Sequence, residues 1–237
     1  MKIRIFGDSH VGTLKHGWTD VKSYALKNRM ASDFYSRHGV NWIKFSINDS
    51  GAGIHLFADR VPGRGPVDYL LDDSADMYVF SAPLHSGPVY RDPTWRSFCP
   101  WQCANQHFDM QPVSDGVLET WTDRQLACQI DMLGCAIKRG YRIAVVEAPK
   151  PLSRTPDLHK IHPDILLTVD RLYRESVVRR LAELGVTIIP VPDRLQANGF
   201  TPPEFSSENP ADPHHGSTSF GATMLRAIFD VALSKKE

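Results

Sequence analysis

The sequence has no excess of charge of either sign, because 27 lysines and arginines are matched by 27 aspartates and glutamates. Binding to nucleic acid by neutralising phosphates requires a broad basic surface, so this balance argues against a nucleic-acid partner. No apolar run approaches the roughly 20 residues that cross a bilayer, and the opening MKIRIF lacks the apolar core of a signal peptide. We therefore expect a soluble, cytoplasmic protein with no membrane partner.

Cysteine is scarce as well, with four residues in a chain of 237. Cys99 and Cys103 lie in CPWQC and His107 follows, but this spacing is irregular for zinc and no fourth ligand is obvious. The turn GDSHVGTL has neither a Walker lysine nor a G-x-G-x-x-G pattern, which argues against a nucleotide or flavin binder. The sequence therefore predicts free thiols, no metal and no cofactor.

What the sequence does contain is an alternation of strand-like and helix-like segments. Its length allows one domain over residues 1–237. Apolar segments predict five strands at residues 2–6, 40–47, 77–82, 142–147 and 187–191. Apolar residues at helical spacing predict helices at 21–36, 118–139, 164–184 and 218–233. This order predicts an α/β/α sandwich with a five-stranded, mostly parallel sheet whose site lies at the carboxyl ends of its strands.

The stretch GDSH, residues 7–10, follows the first predicted strand. Gly7 and Asp8 would break the strand and leave Ser9 on a tight turn, which is one way to present a nucleophilic hydroxyl. Gly-Asp-Ser is also ordinary turn chemistry, and aspartate or serine often caps a following helix. A catalytic role for Ser9 therefore needs a partner elsewhere in the chain.

A candidate partner stands before the last predicted helix, in ADPHHGS. A serine hydroxyl is a weak nucleophile until an imidazole accepts its proton, and a carboxylate best orients that imidazole. Asp212 and His215 supply both groups on one short turn. The alternative is that Asp212 only starts a turn and the histidines are exposed polar residues. The combination of both motifs in an alternating chain favours catalysis.

With these two motifs the chain resembles the SGNH hydrolases, the GDSL esterase and lipase superfamily, over nearly its whole length. The resemblance implies that Ser9 is the nucleophile, His215 the general base and Asp212 its orienting carboxylate. It selects His215 over His214, because the family histidine stands three positions after the aspartate. The implied reaction is hydrolysis of a small-molecule or carbohydrate ester through an acyl-enzyme. An O-acyltransferase and a non-catalytic binding module remain as alternatives.

The family completes its oxyanion hole with a glycine and an asparagine from two middle blocks. Gly51 and Gly53 are the glycine candidates, and Gly53 is preferred because the segment from Ile54 reads as the start of a helix, whose N–H groups bind anions. No Gly-x-Asn follows the third predicted strand. His85 stands near that position and is predicted to donate a ring N–H to the oxyanion, with Asn48 ranked below it.

Long connections at 83–117, 148–163 and 192–217 are expected to form the walls of a pocket. Further substrate contacts are expected beside the serine and from aromatic and cationic side chains, namely Asp8, His10, Tyr90, Arg91, Trp95 and Trp101. Aromatic residues in a long loop can equally form a small core of their own. Basic residues in 148–163 hint at an anionic substrate but fit a solvated loop as well. The oligomeric state is left open.

Overall fold

The computed structural model describes residues 1–36, 45–58 and 67–234. Its strands are β1 (Lys2–Gly7), β2 (Ala31–Ser36), β3 (Phe45–Ser50), β4 (Gly53–Ala58), β5 (Val67–Leu71), β6 (Met77–Phe80), β7 (Phe98–Pro100), β8 (Gln111–Val113), β9 (Ile143–Val146) and β10 (Thr187–Ile189). Its α-helices are α1 (His10–Lys27), α2 (Gly87–Tyr90), α3 (Asp115–Lys138), α4 (Thr155–His159), α5 (Pro163–Glu183) and α6 (Thr218–Ser234).

Five parallel strands form the main sheet in the order β10-β9-β6-β1-β2. The strands β6 and β9 are apolar without interruption because both faces of the sheet are covered. In β6, Met77 and Val79 contribute to one core cluster, whereas Tyr78 and Phe80 contribute to the other. Helices cover both faces, which confirms the predicted α/β/α sandwich with a five-stranded parallel sheet.

Helices α1 and α6 pack on one face of the sheet, and α3 and α5 pack on the other. The contact between α1 and α6 requires glycine, because side chains would collide with backbone at two positions. A β-carbon on Gly17 would lie 2.1 Å from the Ala222 nitrogen, and one on Gly221 would lie 2.1 Å from the Thr13 oxygen. The first and last helices of the described chain are therefore held in close contact.

The second strand of the sheet differs from the prediction. The predicted helix over 21–36 is wrong in its second half, since α1 ends at Lys27 and Ala31–Ser36 forms the edge strand β2. Arg29 has a φ of 52°, a left-handed conformation in which an α-helix does not continue. The predicted strand 40–47 is not part of the main sheet, because β3 pairs elsewhere, and residues 40–44 lie outside the described residues.

Strands β3, β4 and β5 form a separate antiparallel sheet. The predicted helix start after Gly53 is wrong, because Gly53–Ala58 is strand β4. Ile54 and Leu56 are buried while His55 between them is partly exposed, and this alternation is typical of a strand with one covered face. The small sheet packs through these apolar residues onto the same face as α3 and α5.

The order of the strands places a crevice between β1 and β6. The chain runs from β1 outward to β2, and then from β6 outward in the other direction to β9 and β10. Such a reversal opens a crevice at the carboxyl ends of the two central strands, where ligands of open parallel sheets bind. GDSH follows β1 and the segment 81–86 follows β6, so both lie at this crevice. Within the described residues, none of the helices combines the length and the apolarity needed to cross a membrane.

Candidate active site

Ser9 stands between β1 and α1, immediately before the first helical residue. Its backbone has helical dihedral angles, and its carbonyl oxygen accepts a hydrogen bond from the Gly12 nitrogen at 2.9 Å. The side chain makes no capping hydrogen bond to α1, so the hydroxyl is not engaged in holding the helix. The amino end of this 18-residue helix carries a positive partial charge, which favours negative charge developing beside Ser9.

Asp212 and His215 form a hydrogen-bonded pair on the turn before α6. Nδ1 of His215 lies 2.8 Å from Oδ2 of Asp212, while Oδ1 accepts the backbone N–H groups of His214 and His215, each at 3.1 Å. Burial opposes ionisation of Asp212, but these hydrogen bonds and the His215 ring outweigh it and lower the pKa of Asp212 to about 2. An ionised Asp212 keeps the imidazole proton on Nδ1, so Nε2 of His215 presents a lone pair.

That Nε2 atom of His215 is buried and has no hydrogen-bond partner among the described residues. Burial and the nearby His10 lower the pKa of His215 below its usual 6.5, which favours the neutral ring that a general base requires. In this structure Nε2 of His215 therefore does not accept a hydrogen bond from Ser9, the contact that the roles predicted for these two residues require during the reaction. The ring of His10, the residue after Ser9, lies 5.1 Å from that of His215, so the two motifs do meet.

The carboxylate of Asp8 joins two further imidazoles. Its Oδ1 lies 3.0 Å from Nδ1 of His10, and its Oδ2 lies 2.5 Å from Nδ1 of His85. Burial opposes ionisation of Asp8, yet His10 and His85 together hold its pKa well below the usual value. Asp8 thus binds the end of β1 to the segment that follows β6, and it contacts protein groups at both of its oxygens.

His10 links GDSH to the turn that carries Asp212. It is 3% exposed, and its Nε2 lies 3.1 Å from the carbonyl oxygen of His214. Asp8 and the His214 carbonyl both accept hydrogen bonds, and each faces one nitrogen of the His10 ring. The ring donates to both of them at once only when both of its nitrogens carry a proton. The predicted substrate-contact residues Asp8 and His10 therefore serve in this structure to join the two motifs.

His85 lies in the site but is not placed as an oxyanion donor. Burial and the neighbouring His10 lower the pKa of His85 to about 4, so the ring is neutral near pH 7. Its one proton is on Nδ1, facing Asp8, which leaves a lone pair on Nε2. This Nε2 is buried and unpartnered among the described residues. A lone pair accepts hydrogen bonds and repels an oxyanion, which corrects the role predicted for His85.

The structure does not bring Gly53 or Asn48 to Ser9. A β-carbon on Gly53 would lie 2.2 Å from the Leu71 oxygen, and that oxygen accepts a hydrogen bond from Tyr141, just before β9 begins. Gly53 therefore lies near the amino end of β9, whereas Ser9 follows the carboxyl end of β1. Asn48 is exposed on β3 of the small sheet, and Gly51 lies in the turn between β3 and β4.

The aromatic residues predicted to contact substrate are elsewhere. Tyr90 and Trp95 are each 1% exposed in the core, where Trp95 stacks on Trp121 at 5.8 Å. Trp101 is 67% exposed and contributes to neither apolar cluster. Of the four predicted contacts in 83–117, only Arg91 reaches the site, where its Nη1 lies 3.0 Å from Nδ1 of His214.

His214 is a site residue that the sequence analysis set aside. Burial and the cations around it lower the pKa of His214 to about 2, so its Nδ1 presents a lone pair to the Arg91 guanidinium. Its ring lies 4.0 Å from that of His215 and stacks on His85 at 5.6 Å. The two adjacent histidines in ADPHHGS were the sequence signal for a second site residue. The His215 ring faces Asp212, and the His214 ring faces Arg91.

Three groups of side chains among the described residues are close enough to share a metal ion, and one of them is Asp212, His214 and His215, which the turn before α6 supplies. Another is His10, His85 and His214 in the site, and the third is His107, His162 and Asp164 at the start of α5. In the group with His10, both nitrogens of His10 and one each of His85 and His214 already contact protein atoms, which leaves two free donors. In the group at α5, His107 bonds Asp164 at 2.7 Å. The cysteines next to His107 are free thiols.

Comparison with solved structures identifies the fold. An acetyl xylan esterase aligns over 98% of this chain and 99% of its own at 8% identity and a TM-score of 0.51. A GDSL-like lipase from Bacteroides thetaiotaomicron aligns over 100% and 89% at 10% identity and a TM-score of 0.50. A carbohydrate acetylesterase family member from Sinorhizobium meliloti aligns over 98% and 99% at 11% identity and a TM-score of 0.50.

The sequence matches no protein-family model and no curated protein sequence. The chain therefore has the fold of the SGNH hydrolases, as its two motifs predict, in a sequence that has diverged far from the solved examples. At such low sequence identity the structural similarity establishes the fold alone, so the chemistry is argued from the site.

Proposed function

We propose that this protein is a serine esterase that hydrolyses a carboxylic ester through Ser9, His215 and Asp212. The observation that carries the proposal is the unpartnered Nε2 of His215, a buried lone pair oriented by an ionised carboxylate and lying beside GDSH. The fold is that of esterases. Two of the similar structures are named for acetylated carbohydrates, which favours an acetylated sugar as the substrate.

In the proposed mechanism, Nε2 of His215 accepts the Ser9 proton while Oγ attacks the ester carbonyl carbon. The imidazolium that forms is stabilised by Asp212, and it then protonates the departing alkoxide. Water, deprotonated by the same Nε2, attacks the acyl-serine and releases the acid. A small rotation of the Ser9 or His215 side chain when substrate binds completes the hydrogen bond, since such bonds often tighten only in the complex.

The oxyanion of the tetrahedral intermediate is assigned to the amino end of α1. The backbone N–H of Ser9 and the positive end of the helix dipole are the groups nearest to the attacked carbonyl. His85 contributes indirectly: its lone pair suits a hydroxyl of the substrate, which would satisfy an atom that is otherwise buried without a partner. A sugar hydroxyl has the required donor.

The proposal is tested with a panel of acyl esters, including acetylated sugars, and a fluorophosphonate probe. The wild-type protein should hydrolyse short esters and acquire one phosphonate adduct, which mass spectrometry should locate on Ser9. Ser9→Ala should lose both properties, whereas Ser234→Ala, which removes an exposed hydroxyl at the end of α6, should keep them. Hydrolysis by Ser9→Ala at the wild-type rate, or no turnover and no adduct by wild type, would refute the esterase.

The same panel distinguishes hydrolysis from acyl transfer. Both reactions use the same three residues, and they differ in whether water or a sugar hydroxyl resolves the acyl-serine. Adding a free oligosaccharide should leave the acid as the main product if the protein is an esterase. Acylated oligosaccharide as the main product would assign an acyltransferase instead.

A further inference from the structure

Arg91 brings a positive charge to the site without a matching acid. Its Nη1 lies 3.0 Å from Nδ1 of His214, and its Nε donates to the carbonyl oxygen of Gly87 at 2.8 Å. Both partners are neutral, because His214 is unprotonated near pH 7. Across the part of the chain that the structure describes, no carboxylate forms an ion pair with Arg91. The guanidinium therefore has N–H groups left over on Nη1 and Nη2 beside the one that faces His214.

The acids of the site are already committed. Asp8 is shared between His10 and His85, and both of its oxygens are engaged. Asp212 accepts the His215 ring and two backbone N–H groups. Neither carboxylate forms an ion pair with Arg91 among the described residues, so these acids do not occupy its N–H groups.

Two more guanidinium groups lie near the turn that carries Asp212, and their hydrogen bonds within the described residues go to carbonyl groups. Arg154 donates to the carbonyl oxygens of Asp212 and Ser207, and Arg96 donates to that of His159. Nε2 of His159 is buried and unpartnered, and the Arg91 and Arg96 charges both act on this ring. Among the described residues neither Arg96 nor Arg154 has a carboxylate partner. Arg91 and Arg96 therefore bring cationic groups to this side of the catalytic turn, whereas Arg154 lies in a depression that Asp20, Glu204 and Glu208 also line.

The space beside Arg91 is shared with His85. A β-carbon on Gly87 would lie 2.4 Å from Nε2 of His85 and 3.2 Å from Nη2 of Arg91, so these two atoms pack over this glycine and lie close to one another. One atom is a hydrogen-bond acceptor and the other is a charged donor. Together they match a ligand that presents a hydroxyl and an anion on neighbouring atoms.

We infer that Arg91 binds a carboxylate of the substrate, so that the ester this protein prefers is one that carries a negative charge, such as an acetylated sugar acid. This inference rests on the proposed esterase and specifies its substrate class. A carboxylate fits because the free N–H groups on Nη1 and Nη2 form a planar fork that holds two oxygens at once. Arg91 is only partly exposed and lies beside neutral imidazoles, which strengthens such a pair by limiting its contact with water.

The test compares matched charged and neutral esters. The pair 4-nitrophenyl hemisuccinate and 4-nitrophenyl butyrate places the carboxylate on the acyl side, and O-acetyl galacturonate and O-acetyl galactose place it on the alcohol side. Wild type should favour the charged member of one pair by about tenfold or more in kcat/KM. Arg91→Gln should reduce this ratio by about the same factor, mainly through KM, and Arg91→Lys should retain part of it.

Arg226→Gln is the matched control, because it removes an exposed cation on α6 that stacks on Tyr24, away from the site. This variant should keep the wild-type ratio. An equal loss for both members of a pair in Arg91→Gln would assign Arg91 a positioning role and overturn the inference, as would a wild type that shows no preference for charge in either pair.

A binding measurement distinguishes failure of the carboxylate inference from failure of the proposed esterase activity. The Ser9→Ala variant cannot turn over its ligand, so calorimetry with the charged and neutral esters reports recognition alone. Tighter binding of the charged ester, removed by adding Arg91→Gln, supports carboxylate recognition even if wild type hydrolyses nothing. Equal binding of both esters to Ser9→Ala would overturn it even if wild type proves to be an esterase.

Discussion

Replacing Asp212 by asparagine tests the proposed triad most sharply, because only one of the two carboxylate oxygens also accepts backbone N–H groups of the turn. Oδ1 accepts two backbone N–H groups at 3.1 Å and lies 3.0 Å from Nδ1 of His215, whereas Oδ2 faces only that Nδ1, at 2.8 Å. The asparagine oxygen must take the Oδ1 position, since leaving those N–H groups unpaired would cost about 1–3 kcal/mol. Its NH₂ group then takes the Oδ2 position, which is the nearer of the two to Nδ1 of His215, and this donor favours the tautomer in which Nδ1 accepts.

The proton of the neutral imidazole is thereby moved to Nε2, the atom that must accept a proton from Ser9. We expect kcat/KM to fall by about 10³- to 10⁴-fold, similar to the loss known for this change in a serine protease triad. That corresponds to roughly 4–5.5 kcal/mol of transition-state stabilisation. The turn should stay folded, because the oxygen keeps both backbone hydrogen bonds, and Asp212→Asn should retain more activity than Ser9→Ala.

The assay is kcat/KM for an activated ester from pH 4 to 9, with the melting temperature measured beside it. In wild type the acidic limb should have its midpoint below 6.5, because burial lowers the pKa of His215. In Asp212→Asn the midpoint of the acidic limb of the remaining activity should move to still lower pH, because the carboxylate that stabilises the imidazolium is gone. Asp131→Asn, on the exposed side of α3, should match wild type. A loss below tenfold, or a limb displaced to higher pH, would refute this account.

Three further predictions concern stability. Gly221→Ala should lower the free energy of unfolding by about 1–3 kcal/mol, because its β-carbon meets backbone at 2.1 Å, whereas Gly134→Ala in open space should be neutral or stabilising in the same melting assay. The free energy of unfolding should fall on acidification from pH 6.5 towards 4, because folding lowers imidazole pKa values and the unfolded chain therefore binds more protons. The slope is up to about 1.4 kcal/mol per pH unit for each such histidine. In denaturant titrations at several pH values, His85→Gln should reduce this slope by the contribution of about one proton. Asp170→Asn should cost up to about 3–5 kcal/mol, since it removes the 2.8 Å carboxylate partner of the buried Arg174 and leaves Glu147 at 3.8 Å as its remaining acid. Glu175→Gln, in an exposed pair with Arg171, should cost below about 1 kcal/mol, and an equal effect of the two changes on urea midpoints would contradict the burial argument.

The sequence indicated the sheet and the two motifs because these depend on local signals. β6 and β9 are short apolar runs, and β1 ends at a Gly-Asp turn, so neighbouring residues alone determine them. The Asp-x-x-His pair also depends on one turn, in which Asp212 accepts two backbone N–H groups of residues close in sequence. Such features are predictable without knowing what packs against them.

What escaped prediction depends on contacts between distant segments. The segment after Gly53 contains apolar residues that suit a helix or a strand, and pairing with β3 and β5 decides for the strand. The alternation of Ile54, His55 and Leu56 was the signal for it. The role of His85 depends on which of its nitrogens faces Asp8, which no sequence pattern specifies. Trp95 was ambiguous until Trp121 was seen to stack on it.

The hydrogen bond from His10 to the His214 carbonyl spans 204 residues of chain. Closing a loop of that length costs roughly 5 kcal/mol of chain entropy, and the close packing of α1 on α6 offsets it. During synthesis Ser9 leaves the ribosome long before His215 has been translated, so a growing chain carries the nucleophile without the base that activates it. Under the proposed mechanism, ester hydrolysis begins only when the late helix has docked on the early one. The onset of fluorogenic-ester hydrolysis would then report the time at which folding is complete.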